Sequence, residues 1–188
     1  SEILESGEAI KVGKIFDINL PNSVISKDKV VDSKALSDIL KNIFYLLNNP
    51  INKPILLNLD SSLFMMKSFT SGKDSPVINP DNPLIIANSP YISENTLSIF
   101  KYINQNKSAN VIYTNKEIID SWLNVLEILD NPIIGISNGF IQLVNKISLT
   151  NSSRKNFIVA DIGLISSNIF YHSNSGEIVS SKLPYGTE

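Results

Sequence analysis

Apolar positions along this 188-residue chain repeat with two different periods, and the changes of period mark its elements. From Glu8 to Leu20 they alternate loosely (Ile10, Val12, Ile15, Ile18, Leu20) and stop at Pro21-Asn22, which predicts one or two strands running into a turn. Val24 and Ile25 precede the polar Ser26-Lys27-Asp28-Lys29. After Asp32 the spacing lengthens to that of a helix, with Ala35, Leu36, Ile39, Leu40, Ile43, Phe44 and Leu47 on one side. Asp32 or Ser33 is the expected N-cap and Asn48-Asn49-Pro50 the stop. Pro54 to Leu59 has the length and composition of a buried strand, and Leu63 to Phe69 of a second one after a turn at Asp60-Ser61-Ser62. Residues 70–83, rich in Ser, Gly, Asp, Asn and Pro, are expected to form a surface loop or linker. Leu84 to Ala87 reads as a strand, and Ser93 to Asn104 as a helix with Leu97, Phe100 and Ile103 on one face.

The rest of the chain sets the fold class. Asn110 to Tyr113 is a strand, and Thr114-Asn115-Lys116-Glu117 has the form of a capping box leading into a helix with Ile118, Ile119, Trp122, Leu123, Leu126 and Leu129. Pro132 to Ile136 is the next strand, and Asn138 to Ile147 the next helix. Beyond the polar tract Thr150 to Lys155, three runs, Phe157–Asp161, Asn168–Tyr171 and Ile178–Leu183, predict a three-stranded meander with turns at Ile162-Gly163 and Asn174-Ser175-Gly176. Alternating strands and helices followed by a meander imply a layered α/β protein with a mixed sheet.

Composition narrows the chemistry. Hydrophobic residues make up 43% and charged residues 18%, as in a globular chain. A net charge of −2 offers no field for a polyanion, so nucleic acid is not an expected partner. The absence of Cys excludes disulfides, thiolate zinc sites and cysteine nucleophiles, and the single His172 argues against His-based metal clusters and Ser-His-Asp triads. No apolar run is long enough to span a membrane, and Ser1 to Gly7 lacks the pattern of a signal peptide, so a cytoplasmic location is the default expectation. The Ser start and the end shortly after a strand suggest a fragment of a longer chain.

The segment with chemical content is Phe157 to Ile169. An apolar strand ending in Asp161, a turn at Gly163, the hydroxyls of Ser166 and Ser167 and a returning strand place a carboxylate and several backbone amides at one hairpin tip. Amides and hydroxyls there can hold phosphate oxygens, and the carboxylate can hold Mg²⁺ directly or through water. The same pattern also fits an ordinary hairpin with Asp and Gly as its turn residues. His172 reads as a partly exposed strand residue, Asp120, Glu127 and Asp130 as a solvated helix face, Trp122 as core, and Lys27, Lys29 and Lys34 as a loose solvent-facing patch.

Taken together, Asp161-Ile162-Gly163, Gly176-Glu177-Ile178-Val179 and Lys182-Leu183-Pro184-Tyr185-Gly186 resemble the second phosphate-binding segment of the actin-like ATPases. Within that superfamily the likeness is to the PilM-type pilus-assembly proteins, with the FtsA-type division proteins as cousins. Ile18 to Asp32 is similar to the stretch joining the family's early strands to its first helix, and Asn110 to Ile136 to its strand-helix-strand before the second phosphate loop. The family places small or hydroxyl residues directly after Asp-Ile-Gly, where this chain has Leu164-Ile165.

The resemblance implies an actin-like (ribonuclease H-like) half-molecule with a mixed sheet and an inserted small α+β subdomain. Early strands would occupy 1–20, the first helix and the insertion 21–109, and the subdomain with the second phosphate hairpin 110–188. It implies ATP and Mg²⁺ as cofactors of the full-length protein, with weak or no binding by this portion alone. Asp161, Gly163, Ser166, Ser167 and Gly186 would be the binding residues, and Asp161 the metal ligand. The activity it implies is a cytoplasmic scaffold of type IV pilus assembly at the inner face of the membrane. Its partner would be the cytoplasmic N-terminal peptide of an inner-membrane pilus protein, and it could form homo-oligomers. An FtsA-like division protein and an ATP-dependent kinase or ATPase of the same superfamily stay open as alternatives. No residue set with the geometry of a nucleophile and base stands out, so no catalytic residue is assigned.

Overall fold

A computed structural model describes residues 3–6, 9–12, 15, 17–47, 54–71, 78–103, 107–150, 156–164 and 166–187. The expected helix stop at 48–50, the tract 151–155, Ile165 and the middle of the 70–83 segment lie outside them. The described chain divides into two compact units. The first comprises Ser1–Ile55 with Glu117–Ile134, and the second Leu56–Lys116 with Gly135–Glu188.

In the first unit β1 (Ile3–Ser6) and β2 (Ala9–Val12) form an antiparallel pair. The short strands β3 (Ile25–Ser26) and β4 (Lys29–Val30) make a hairpin whose two turn residues, Lys27 and Asp28, have φ of 49° and 67°. Two successive positive φ values are what a two-residue hairpin turn needs to match strand twist. Helix α1 (Ser33–Leu46) starts at Asp32, whose carboxylate accepts from the Ala35 amide. Helix α3 (Lys116–Leu129) presents the buried Ile119, Val125, Leu126 and Leu129. The β3–β4 hairpin is anchored on α3 by three contacts: the Val30 amide donates to Ser121 Oγ, Trp122 Nε1 donates to the Asp28 carbonyl, and Lys29 pairs with Glu117 at 2.8 Å. Trp122 is thus half-buried against a turn rather than enclosed in a core. Asp120, Glu127 and Asp130 are exposed, as their helix-face pattern predicts.

In the second unit β5 (Ile55–Leu59) pairs with β9 (Ile133–Asn138), and helix α4 (Gly139–Thr150) follows β9. Strands β6 (Phe64–Thr70), β7 (Thr96–Ile103) and β8 (Ser108–Asn115) form an antiparallel sheet with β8 in the middle. Strands β10 (Phe157–Ile162), β11 (Ser167–His172) and β12 (Ile178–Leu183) form the expected meander, turning between β11 and β12 at Gly176 with φ of +86°. One face of the β8 sheet packs Ala109, Val111 and Tyr113 against Ile78 and Ile85. The other packs Met66 and Ile112 against Phe170, Ile178, Phe157 and Val159 of the meander.

Three local expectations are corrected. Leu84–Ala87 lies in a short helix, α2 (Pro83–Ala87), not a strand, because Asn82 caps the Leu84 amide and Pro83 occupies the first helical position. Ser93–Asn104 is not a helix: a 3₁₀ turn over Ser93–Asn95 leads directly into β7, whose every residue pairs with β8. The capping box at Thr114 does not form, since Thr114 is the penultimate residue of β8, buried, with no hydrogen-bond partner for its hydroxyl among the described residues.

Candidate functional site

A cleft of about 550 Å³ opens in the second unit where three elements end. Asn58 and Leu59 close β5, Asp60 and Ser61 start the turn after it, Asn138 and Gly139 join β9 to α4, and Val159, Ala160 and Asp161 bring in β10. The volume suits a small organic ligand. A Cβ at Gly139 would approach the Asn58 side chain at 3.1 Å, so a larger residue there would push Asn58 by a few tenths of an ångström. Asp60 is held in place by accepting from the Ser62 amide at 2.7 Å, which caps the 3₁₀ turn Ser61–Leu63. Asp161 accepts from Ser61 Oγ at 3.1 Å, and Ser61 Oγ in turn accepts from Asn168 Nδ2 at 2.9 Å. Among the described residues no group of three or more His, Cys, Asp or Glu surrounds a metal position.

The five residues singled out from the sequence all fall at this end of the meander, in different states. Asp161 is exposed on the cleft wall. The Gly163 amide donates to the Ser166 carbonyl at 3.1 Å, closing the hairpin turn, and the Gly163 carbonyl accepts from the Thr187 amide at 3.1 Å. Ser167 is buried, its hydroxyl donating to the Tyr185 carbonyl at 2.7 Å. Gly186 lies so close to the turn that a Cβ would fall on the Leu164 carbonyl group. The sequence thus places Gly186 and the Asp-Ile-Gly turn in separate runs, and the fold packs one onto the other. The donors of Gly163 and Ser167 are bonded within the tip, whereas the Asp161 carboxylate faces the cleft. Ser166 is half-buried at the turn.

Asp60, Ser61 and Asn168 were not identified from the sequence as site residues. Asp60 and Ser61 carry the Asp-Ser-Ser turn pattern and Asn168 lies opposite Asp161 in the meander, but the Ser61 bonds that join the two regions link positions a hundred or more residues apart.

The cleft lining offers the carboxylates of Asp60 and Asp161, the Ser61 hydroxyl and the side-chain amides of Asn58 and Asn138, oxygen ligands of the type a hydrated Mg²⁺ accepts. His172 stands apart on β11, stacked on Phe157 with ring centroids 4.7 Å apart. Burial lowers its pKa, with a smaller contribution from Lys101.

This arrangement of strands, helices and meander is a fold shared with a solved structure. One chain of the solved PilM–PilN type IV pilus biogenesis complex superposes on it with a TM-score of 0.69 at 11% identity, covering 98% of this chain and 58% of that one. The chain therefore spans less than two thirds of that neighbour. A Bacteroides thetaiotaomicron protein with an actin-like ATPase fold and unknown function is also similar, with a TM-score of 0.44, 14% identity and coverage of 85% and 60%. So is the cytoplasmic domain of EpsL, an inner-membrane component of the Vibrio cholerae type II secretion system, at 0.44 and 11%, covering 79% and 56%. No family model and no curated protein matches the chain. No helix among the described residues is long and apolar enough to cross a membrane.

Proposed function

We propose that the protein is an actin-like scaffold of type IV pilus assembly, working at the cytoplasmic face of the inner membrane. Its full-length form holds Mg²⁺ and ATP in the cleft beside Asp161 and docks a cytoplasmic peptide of a membrane pilus protein. The observation that carries this reading is the placement of Asp161 on the cleft wall with Gly186 seated on the turn that follows it. Bound Mg²⁺ would neutralise phosphate charge. The chain's own part is to present the Asp161 carboxylate to the metal or its water, and to keep the turn behind it rigid through the Ser167–Tyr185 and Gly163–Thr187 bonds. No residue is assigned to proton transfer, and the nucleotide serves to set conformation.

For the peptide, support comes from the edges of β6 and β12. The two strands run in opposite directions and are joined by hydroxyls instead of a backbone ladder: Ser180 Oγ accepts from the Met66 amide, and Ser68 Oγ donates to the Ile178 carbonyl. Toward Phe64 and Lys182 they border a cavity of about 360 Å³ that also includes Tyr91 and Pro90. An extended peptide can add to such edges through its main chain.

Titration calorimetry of the full-length protein with Mg·ATP is expected to show saturable binding that Asp161→Asn weakens at least tenfold while its thermal melt is unchanged. Immobilised N-terminal peptide of the membrane partner is expected to retain the protein. Unchanged Mg·ATP affinity in Asp161→Asn would sink the nucleotide half of the reading, and no retention the docking half. ATP turnover abolished by Asp161→Asn would favour the kinase or ATPase alternative.

A further inference from the structure

The Asp161 carboxylate is the last member of a directed hydrogen-bond chain. Asn168 Nδ2 can only donate, so the Ser61 oxygen receives its proton at 2.9 Å, and the one proton of the Ser61 hydroxyl is left for Asp161 Oδ2 at 3.1 Å. Ser61 and Asn168 are each only 8% exposed, so water competes poorly for either bond. Both ends of the chain are fixed by the fold. Asn168 is the cross-strand partner of Asp161 in the β10–β11 register, which puts the two side chains on one face of the meander. Ser61 begins the 3₁₀ turn capped by Asp60. A hydroxyl donating to a carboxylate is charge-assisted, and at 3.1 Å this one is longer than the strongest of its kind, so it orients the group more than it binds it. An otherwise exposed Asp at the end of a strand would sample several rotamers.

We infer that Ser61 is a positioning residue for Asp161, and that Asn168 sets the direction of the Ser61 hydroxyl, so that the carboxylate offers one orientation to a metal-bound polyphosphate in the cleft. The inference rests on the reading of Asp161 given above and adds to it a residue from a different part of the chain. Ser61 follows β5, and neither Ser61 nor Asn168 needs to touch the ligand.

The test compares ATP affinity with Mg²⁺ and with EDTA in the protein as encoded, because the ratio of the two dissociation constants reports what the metal contributes. A residue with a purely structural role would weaken both affinities together. Ser61→Ala is expected to lower the ratio about threefold to tenfold, the size of one lost charge-assisted hydrogen bond, without changing the affinity in EDTA. Ser61→Thr keeps the hydroxyl and restores the ratio. Asn168→Leu removes the donor behind Ser61 and lowers the ratio in the same direction by less. In the ligand-free protein the Asn168 side-chain amide protons exchange slowly with solvent, and Ser61→Ala makes them exchange fast. A wild-type ratio in Ser61→Ala, with the ratio collapsed in Asp161→Asn, overturns the inference and leaves the reading of Asp161 intact. A ratio near one in the wild type, or a ratio unchanged in Asp161→Asn, overturns both.

Discussion

The two antiparallel sheets of the second unit differ in how their faces are covered. The β6–β8–β7 sheet is packed on both sides, and its central strand is almost wholly enclosed: Ala109, Val111 and Tyr113 have no exposed surface. Among the described residues, the β10–β11–β12 meander is packed on one side only. Its other face carries Ile158, Ile162, Tyr171 and Val179, which remain 68%, 64%, 41% and 45% exposed. The difference governs what a polar residue can do in each. In the covered sheet a polar group must be partnered by the protein, so Asn110 and Ser68 serve as connectors to the meander. At the end of the meander's packed face, beyond Phe157 and Val159, the Asp161 carboxylate faces a cleft and is held by Ser61.

The largest effect that would test this contrast is at Asn110, which is 2% exposed. Its Nδ2 donates to the Gly176 carbonyl at 2.8 Å, and its Oδ1 accepts from the Ile178 amide at 3.1 Å. Asn110→Ala leaves the Gly176 carbonyl without that partner, while the Ile178 amide keeps Ser68 Oγ at 2.9 Å, and the change is expected to cost about 2–3 kcal/mol in urea unfolding. A cost below about 1 kcal/mol would mean that the connector is dispensable. Next comes Tyr113, whose hydroxyl donates to the Ile85 carbonyl at 2.7 Å. Tyr113→Phe is expected to cost about 1–2 kcal/mol. Burial pushes the Tyr113 pKa up to about 12 from 10.0, so the stability linked to the neutral phenol is present below pH 10.0 and is lost as pH rises through about 12. Burial also raises Tyr91, so spectrophotometric titration should find late-ionising tyrosine absorbance of which Tyr113→Phe removes the latest part.

These two residues also show where sequence reading succeeds and where it stops. The strand containing them was legible as an apolar run, and so were the meander, its Gly176 turn, and α1 with its Asp32 cap, because each depends on neighbours within a few positions. Ser93–Asn104 misled for a physical reason. Leu97, Phe100 and Ile103 fit a helical stripe, but Thr96 to Ile99 alternates polar and apolar as a strand does, and pairing with β8 decides for the strand. Thr114 misled similarly, because the capping-box pattern is local while the extension of β8 through Asn115 is set by two neighbouring strands. Family likeness pointed to Asp161 and Gly186, which the fold brings to one end of the meander. Ser61 and Asn168 were not, since neither the turn pattern at Asp60-Ser61-Ser62 nor the strand at Asn168 announces a contact across the sheet stack.

His172 sharpens the contrast from the packed side of the meander. Its ring lies on Phe157, and its Nδ1 is buried without a hydrogen-bond partner among the described residues. Burial, and secondarily Lys101, lower its pKa from 6.5. The unfolded chain therefore binds the imidazole proton at a higher pH than the folded chain does. The associated stability is present above pH 6.5 and is lost as pH falls through the lower folded value. His172→Phe is expected to flatten this part of the stability–pH profile, measured by urea unfolding at several pH values between neutral and mildly acidic. An unchanged profile would mean that His172 is hydrated in solution and that the packed face is looser than its ring stacking implies.

The most discriminating test applies one chemical change to both sheets, and at its second site it is expected to have the smallest effect. Val111→Thr and Val179→Thr each exchange a methyl for a hydroxyl of nearly the same volume at a β-branched strand position, so strand propensity and shape hardly vary. At Val111, with no exposed surface, the hydroxyl must be buried among Ile85 and its neighbours, at an expected cost of about 1–3 kcal/mol. At Val179, opposite Tyr171 on the open face, water can reach the hydroxyl, and the change should stay within about 0.5 kcal/mol. Equal costs at the two positions would show that the open face is covered in solution. Val179→Thr in the full-length protein then becomes the more informative variant, since a penalty there that grows toward the Val111 value reports burial of the meander face.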